Sequence, residues 1–199
     1  MSKEPDYKVP TNAQRKICLV VVDMQNCFFN DDESSKTENK KEIENIAEAI
    51  RLFHENSRDV FVVRYMGDTH SVSKDMDYIE ELGELEPCTY IEKYHMSAFQ
   101  NTNLPDLITR KGYDSALICG AYAEHCVMAS YWTCFEHDIS PFLLADGVIA
   151  YDKKKQKSAE DVCMTFTMDD VRENMKTATI DPEYNSSTNK IRRKFWYVN

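Results

Sequence analysis

The chain has 199 residues, 42% of them hydrophobic and 29% charged, and its formal net charge at pH 7 is −10. This length suits one domain with a full core, and the negative charge argues against a nucleic-acid partner. No apolar run approaches the roughly 20 residues that span a bilayer, and the N-terminal residues lack the apolar stretch of a signal peptide. The seven cysteines include no CxxC pair. That pattern is typical of reduced thiols, so we expect a cytoplasmic protein. Because no apolar run is long enough to span a bilayer, we expect no membrane partner.

Along the chain, apolar runs alternate with segments of helical spacing. Residues 1–15 are polar and are interpreted as an N-terminal arm. Continuous apolar runs predict strands at 17–22, 60–65, 89–92, 115–119, 141–145 and 177–180. Helices are predicted at 42–56, at 104–111, from about Glu124 onward, and at 158–168. This order predicts an α/β fold, a three-layer α-β-α sandwich around a mainly parallel sheet, over residues 16–182, followed by a basic and aromatic tail at 183–199.

Reactive side chains follow three of the predicted strands. Asp23 comes directly after the first strand, Lys93 after the third, and Cys126 after the fourth and a short turn. Parallel strands place their carboxyl ends along one edge of a sheet, where ligands bind in open α/β folds, so these side chains can converge. A thiol with an ordinary pKa of about 8.5 needs a base to become a good nucleophile at neutral pH. A buried carboxylate can serve as that base, and a nearby ammonium stabilises the thiolate.

The segment LICGAYAEHCVMASYWT, which begins at Leu117, predicts a strand, a tight turn at Gly120 and a helix. Cys126 falls in the first turn of that helix, where the helix dipole is expected to favour thiolate over thiol. Unpaired amides of the turn are expected to face a developing oxyanion. A free cysteine, however, is more often a packing residue than a nucleophile. This segment alone therefore leaves both interpretations open.

The segments LVVVDMQNCFF, IEKYHMSAFQNTNL, LICGAYAEHCVMAS and DISPFLLADGV occur in this order over roughly residues 16–180. In the residues, order and spacing of these segments, the chain resembles the isochorismatase-like cysteine hydrolase superfamily. The resemblance implies a catalytic triad of Asp23, Lys93 and Cys126. It also implies a cis peptide between Ala121 and Tyr122, an oxyanion hole formed by the backbone N–H groups of Tyr122 and Cys126, and a homo-oligomer, either a dimer or a tetramer.

Two branches of that superfamily are similar to the chain in different places. Nicotinamidase-like amidases carry a metal-binding Asp-x-His with further histidines. Asp68 and His70 match that spacing, but no further histidine lies between them and Lys93, so we expect no metal and no other cofactor. Bacterial isochorismatases resemble the chain over GAYAEHC and DISPFLLADGV but tend to have Gly where Cys126 stands and His where Val22 stands. The retained thiol favours covalent chemistry on an amide.

The preferred interpretation is a cysteine hydrolase with a small-molecule amide or carbamoyl substrate. Asp23 would accept the proton of Cys126, the thiolate would attack the carbonyl, and water would release the acyl-enzyme. Two alternatives remain: isochorismate hydrolysis with Asp23 as general acid on the vinyl ether, and a non-catalytic scaffold. The candidate pocket residues are mostly aromatic: Gln25, Phe28, Tyr94, Phe99, Tyr122, His125 and Trp132. The acidic stretch at 66–87 is expected to form a loop that sets the substrate.

Overall fold

A computed structural model of the chain describes residues 14–29, 33–67 and 76–177. Most of the predicted N-terminal arm, part of the acidic loop, residues 178–180 of the predicted last strand and the tail at 183–199 lie outside these ranges. The domain boundaries that the sequence suggests therefore stay predictions. Within the described ranges, no helix combines the length and the apolar character needed to cross a membrane.

A parallel sheet with helices on both sides forms the described part of the chain. The strands are β1 (Ile17–Val22), β2 (Val60–Tyr65), β3 (Thr89–Lys93), β4 (Ser115–Ala121), β5 (Ser140–Ile149) and β6 (Thr165–Phe166). They pair in parallel in the order β3-β2-β1-β4-β5-β6. The helices are α1 (Glu33–Glu38), α2 (Lys40–Glu55), α3 (Leu104–Arg110), α4 (Met128–Glu136), α5 (Lys153–Val162) and α6 (Met168–Thr177). The predicted α/β fold with a mainly parallel central sheet is confirmed.

The central strand β1 separates two apolar clusters. All of its residues are buried, as its continuous β-branched run predicts. Alternate residues, beginning with Ile17, pack in the cluster that contains residues of α2 and α6. The others, beginning with Cys18, pack in the cluster that contains residues of α3, α4 and α5. Because successive side chains of a strand point to opposite faces, helices cover both faces of the sheet and form three layers.

The order of the strands reverses between β1 and β4. From β1 the chain continues to β2 and β3 on one side of the sheet, and from β4 it continues to β5 and β6 on the other. At such a point a crevice forms outside the carboxyl ends of the strands, and ligands bind there in α/β sheets. Gly120 allows close approach of the two strands, because a Cβ atom at this position would lie 2.1 Å from the carbonyl oxygen of Val22. Its φ of +110° also suits glycine alone.

Several element boundaries differ from the sequence-based predictions. β5 continues through Asp146 and Gly147, where the sequence predicted its end, because an irregular register against β4 accommodates these residues. The helix predicted at 158–168 begins earlier, at Lys153, since the carboxylate of Asp152 caps it by accepting the N–H of Lys155 at 2.8 Å. The strand β6 occupies the end of that predicted helix, and α6 follows it. α1 lies between β1 and α2, where the sequence predicted neither a helix nor a strand.

Candidate active site

Asp23 lies at the carboxyl end of β1, next to the crevice between β1 and β4. It is 1% exposed, and its backbone N–H donates to the carbonyl of Val63 at 3.1 Å. Its φ of +50° is a left-handed backbone conformation, which non-glycine residues seldom adopt and which clusters at functional sites. The end of β1 therefore holds a carboxylate out of bulk water at the place where ligands bind in this class of fold.

Lys93 ends β3 and reaches across the end of β2 towards Asp23. Its Nζ lies 2.7 Å from Oδ2 of Asp23 and 3.2 Å from Sγ of Cys126. The ammonium also donates to the carbonyl of His95 at 3.1 Å and lies 4.6 Å from the centre of the Tyr65 ring. The side chain has no exposed surface. It donates hydrogen bonds to His95 and Cys126 and forms an ion pair with Asp23. It joins the carboxylate to the thiol.

The turn after β4 brings Cys126 to this ammonium. The Ala121–Tyr122 peptide bond is cis, and Ala123–Val127 forms a single π-helical turn before α4 begins at Met128. Such wide turns are frequent at functional sites. The sequence predicted Cys126 in the first turn of a helix, and the structure has it in this π turn. We refer to residues 121–127 as the nucleophile turn, after the role predicted for Cys126.

Ser130 connects the nucleophile turn to the segment that follows β3. Its hydroxyl donates to the carbonyl of Cys126 at 2.6 Å and accepts the N–H of Ala98 at 2.9 Å. Ser130 is fully buried, and Ala98 lies shortly after Lys93 in the chain. The Ser130 hydroxyl therefore links the backbone at Cys126, which carries the thiol, to the backbone at Ala98, which follows Lys93 in the chain.

Burial sets the protonation of the acid and the thiol. It raises the pKa of Asp23, and the Lys93 ammonium offsets part of that effect. Burial also raises the pKa of Cys126 to about 11, with the Asp23 carboxylate adding to the rise and Lys93 opposing it. The expectation that the helix dipole favours the thiolate is therefore wrong for the resting site, because desolvation outweighs the partial charge of a helix end. At neutral pH the thiol keeps its proton, beside a carboxylate that binds protons more strongly than usual.

The backbone N–H groups of Tyr122 and Cys126 are the predicted oxyanion donors. In the nucleophile turn, His125 and Val127 donate their N–H groups to the carbonyl of Tyr122 at 3.0 and 3.2 Å. These bonds hold the turn through the residues on either side of Cys126 and do not use the N–H of Cys126 itself. The functional role of the two donors stays a prediction.

Three predicted pocket residues, Phe28, Tyr122 and His125, lie in a row of neighbouring rings that also contains Tyr65 and Tyr151. The ring centre of Phe28 lies 6.3 Å from that of Tyr65 and 6.0 Å from that of Tyr122. The Tyr122 ring lies 4.6 Å from Tyr151, which meets the edge of His125 at 5.5 Å. The hydroxyl of Tyr122 also donates to the carbonyl of Phe28. We call these five rings the aromatic row.

Two members of the aromatic row, Tyr65 and Tyr151, were not among the predicted pocket residues. Tyr65 is the last residue of a strand that the sequence predicted correctly, so its position at a strand end could have indicated it. Tyr151 follows β5, whose end the sequence placed too early, at Asp146 and Gly147. The corrected end of β5 brings Tyr151 to the same edge of the sheet as the thiol.

Gln25 and Phe99, both predicted to line the pocket, are buried in the protein instead. The side chain of Gln25 donates to the carbonyls of Tyr65 at 3.2 Å and Met76 at 3.1 Å, and it accepts the N–H of Tyr65 at 2.8 Å. Its amide therefore joins the end of β2 to the segment at residue 76. Phe99 is 1% exposed, and its ring stacks beneath the exposed His137 with ring centres 6.3 Å apart.

Tyr94 and Trp132, also predicted to line the pocket, lie at the surface outside the aromatic row. Tyr94 is 63% exposed beside Lys93. Trp132 is 51% exposed and packs against Tyr131 and Phe135 on α4. Their predicted contact with substrate stays a prediction that none of these ring contacts supports.

A metal site was not expected from the sequence. Within the part of the chain that the structure describes, no group of three or more His, Cys, Asp or Glu side chains could hold a metal ion. The Asp68 and His70 pair that matches the amidase motif lies outside the described residues. The absence of a metal therefore stays a prediction.

The family model and the named relatives were compared with this chain. The family model of the isochorismatase domain matches residues 17–167. The isochorismatase family protein YddQ of Bacillus subtilis (strain 168), itself uncharacterized, is 26% identical over 125 residues, which are 60% of this chain and 69% of that protein. The phenazine biosynthesis protein PhzD of Pseudomonas fluorescens is 28% identical over 102 residues. That match spans only about half of each chain, 49% in both cases.

A solved structure supports the fold independently. The N-carbamoylsarcosine amidase of Thermoplasma acidophilum superposes with a TM-score of 0.66, covering 76% of this chain and 95% of that one. The two sequences are 21% identical in the superposed region. At this identity the similarity concerns the fold alone.

Proposed function

Because the chain belongs to the isochorismatase family of hydrolases, we propose that it is a cysteine hydrolase of small amide or carbamoyl substrates. In this proposal Cys126 is the nucleophile, Asp23 the general base and acid, and Lys93 the cation that stabilises both. The observation that carries the proposal is the position of Lys93 Nζ, 2.7 Å from the Asp23 carboxylate and 3.2 Å from the Cys126 sulfur. A carboxylate, an ammonium and a thiol from three separate strand ends meet at one crevice.

The first step is the attack of the thiolate on the carbonyl. The proton of Cys126 moves to Asp23, whose raised pKa makes it a stronger base than an exposed aspartate. The sulfur forms a bond to the carbonyl carbon, and the carbonyl electron pair becomes an oxyanion. The N–H groups of Tyr122 and Cys126 would stabilise that oxyanion.

The second half of the reaction releases the products. The oxyanion collapses, the carbon–nitrogen bond breaks, and the leaving amine takes the proton held by Asp23. A water molecule then gives a proton to Asp23 and attacks the thioester. When this second intermediate collapses, the carbon–sulfur bond breaks and Cys126 regains a proton from Asp23.

Lys93 lowers the barrier by staying close to the negative charge throughout. That charge moves from the Asp23 carboxylate to the Cys126 sulfur and back, and both lie within hydrogen-bond reach of the same ammonium. Since the site is buried, the attraction is stronger than it would be in water. The ammonium needs no reorganisation as the charge moves.

The raised pKa of Asp23 also favours a second candidate function. A carboxylic acid that keeps its proton nearer to neutral pH can act as general acid on a vinyl ether, the bond that isochorismate hydrolysis breaks. In that reaction Cys126 takes no covalent part. The relatives with isochorismatase names keep this alternative open, whereas a non-catalytic scaffold would leave the buried carboxylate–ammonium–thiol cluster without a function.

Mass spectrometry of the protein during turnover tests the proposal. Incubation with a panel of small amides, carbamoyl compounds, ureides and isochorismate should give product from an amide or carbamoyl compound. During turnover, the peptide that contains Cys126 should carry the mass of the acyl group. A Cys126→Ser variant should lose both product and thioester adduct, whereas Cys163→Ser should keep them. Turnover of isochorismate that survives Cys126→Ser would contradict the covalent mechanism and favour the second candidate.

A further inference from the structure

The aromatic row is linked to the thiol at both of its ends. It begins at Tyr65, whose ring centre lies 4.6 Å from Nζ of Lys93, the ammonium that contacts the Cys126 sulfur at 3.2 Å. It ends at His125, which directly precedes Cys126. Phe28, Tyr122 and Tyr151 lie between these ends, with neighbouring ring centres 4.6 to 6.3 Å apart.

Tyr151 is the most exposed tyrosine of the row, with 60% of its surface accessible. One part of its ring contacts Tyr122 at 4.6 Å and the edge of His125 at 5.5 Å. Aromatic pairs of this kind add about 0.5–1.5 kcal/mol beyond the area that they bury. The rest of the Tyr151 side chain is exposed and is available to a bound group.

Glu124 and Lys155 hold Tyr151 against the nucleophile turn. The backbone N–H of Tyr151 donates to Oε1 of Glu124 at 3.2 Å. Nζ of Lys155 lies 3.4 Å from the same oxygen and 5.0 Å from the centre of the Tyr151 ring. Because Glu124 belongs to the turn that carries Cys126, these contacts fix the distance between the Tyr151 backbone and the nucleophile turn.

The described cations that contact the aromatic row already have acidic partners. Lys93 pairs with Asp23 at 2.7 Å, and Lys155 pairs with Glu124 at 3.4 Å. A substrate carboxylate at the row would have to compete with these partners and would lie close to their negative charges. An uncharged planar group can contact the rings without disturbing either pair.

We infer that Tyr151 is a specificity-determining residue of the thiol site and selects substrates with a planar, uncharged group beside the reacting carbonyl. Its ring, held by Glu124 and Lys155, forms the outer wall of the pocket. This inference rests on the proposed function, because it names the substrate class of the same hydrolase. It also favours an amide over isochorismate, which carries carboxylates.

Alkylation of the full-length protein with two related reagents tests this inference without a known substrate. Iodoacetamide and iodoacetanilide react in the same way: the thiolate forms a carbon–sulfur bond and iodide leaves. Only the second reagent carries a phenyl ring. Peptide mass spectrometry gives the rate constant at Cys126 and, in the same sample, at the half-buried Cys163. In the wild type, the preference for iodoacetanilide at Cys126 should exceed that at Cys163 by about fivefold.

Matched tyrosine variants show whether Tyr151 causes this preference. Tyr151→Ala should abolish it, Tyr151→Phe should keep it because the ring remains, and Glu124→Gln should reduce it because the link to Lys155 weakens. Tyr90→Ala is the control, since Tyr90 is 50% exposed and stacks on Tyr78 outside the row. An unchanged preference in Tyr151→Ala, or an equal loss in Tyr90→Ala, would overturn the inference.

The same experiment separates a failure of the inference from a failure of the proposed function. If Cys126 reacts faster than Cys163 but shows no preference for the phenyl reagent, the inference is wrong and the proposed nucleophile stands. If Cys126 reacts no faster than Cys163 with either reagent, the proposed nucleophile is wrong, and the inference is wrong with it.

Discussion

Cys126 and Cys163 are two half-buried thiols of the same chain whose pKa values are raised to a similar level in different surroundings. Burial alone raises the pKa of Cys163 to about 11, and the sulfur of Met128 lies 3.4 Å from its own. For Cys126, burial and the Asp23 carboxylate raise the pKa to about 11 against the opposing effect of Lys93. A thiol's pKa therefore does not distinguish a nucleophile from a packing residue. The difference lies in a neighbouring base that can take the proton and a cation that can stabilise the thiolate.

The largest expected effect is on turnover when each thiol is removed. Cys126→Ser should lower kcat/KM on an active amide by about ten-thousandfold or more, because a triad that loses its nucleophile keeps only the residual catalysis of binding and the oxyanion hole. Cys163→Ser should leave kcat/KM within about twofold, because substitutions away from special contacts have small effects. Steady-state kinetics on both variants measure this. Equal losses in the two variants would show that the two thiols play similar structural roles.

Removal of the base should change turnover and alkylation in opposite directions. Asp23→Asn should lower kcat/KM by about a hundredfold or more, because the amide cannot accept the thiol proton. The same change removes the charge that raises the pKa of Cys126, so alkylation of Cys126 at alkaline pH should become faster. Asp169→Asn, which breaks an exposed pair with Arg172, is the control. A parallel fall in both measurements would mean that the variant merely damages the site.

Removal of the cation should slow alkylation at one thiol only. Without the Lys93 ammonium the pKa of Cys126 rises further, so Lys93→Met should lower its alkylation rate at neutral pH by about tenfold, the effect of one pKa unit. The rate at Cys163, which is not near Lys93, should stay the same. Lys111→Met, a lysine 2.7 Å from Asp59 at the surface, serves as the matched variant. Equal slowing at both thiols would contradict a specific role of Lys93.

The smallest effect concerns the hydroxyl that positions the nucleophile turn. Ser130→Ala leaves the buried N–H of Ala98 without its acceptor and should lower the free energy of unfolding by about 1–3 kcal/mol. Thr133→Ala is a matched change, because Thr133 also donates to a carbonyl of the same helix, that of Ala129 at 2.7 Å. It should cost about 0.5 kcal/mol or less. Urea unfolding of both variants measures the difference, and similar costs would contradict the special position of Ser130.

The sequence predicted those parts of the fold and of the candidate site that depend on strand ends. The apolar run of β1 identified the centre of the sheet, and Asp23, Lys93 and Cys126 follow strands whose ends were predicted within about two residues. Convergence of those three side chains followed from the parallel sheet. The sequence could not show that Lys93 would cross the end of β2, which depends on the order of the strands.

Other features depend on packing that a single sequence does not display. Tyr151 was missed because Asp146 and Gly147 look like a turn, whereas β4 holds them inside β5 through an irregular register. Gln25 and Phe99 were predicted to line the pocket, and tertiary contacts bury both. The pKa of Cys126 depends on desolvation by residues far away in the chain, so the helix position alone predicted the wrong direction.

The pH dependence of alkylation at Cys126, with Cys163 measured in the same sample, tests the central claim most directly. A thiol that loses its proton only to water should react about tenfold more slowly for each pH unit below its pKa. Cys163 should follow that slope. The rate at Cys126 should instead level off near neutral pH, because Asp23 can accept the proton within the site. If the rate at Cys126 falls with the same slope as at Cys163, Asp23 does not act as its base and the proposed mechanism is contradicted.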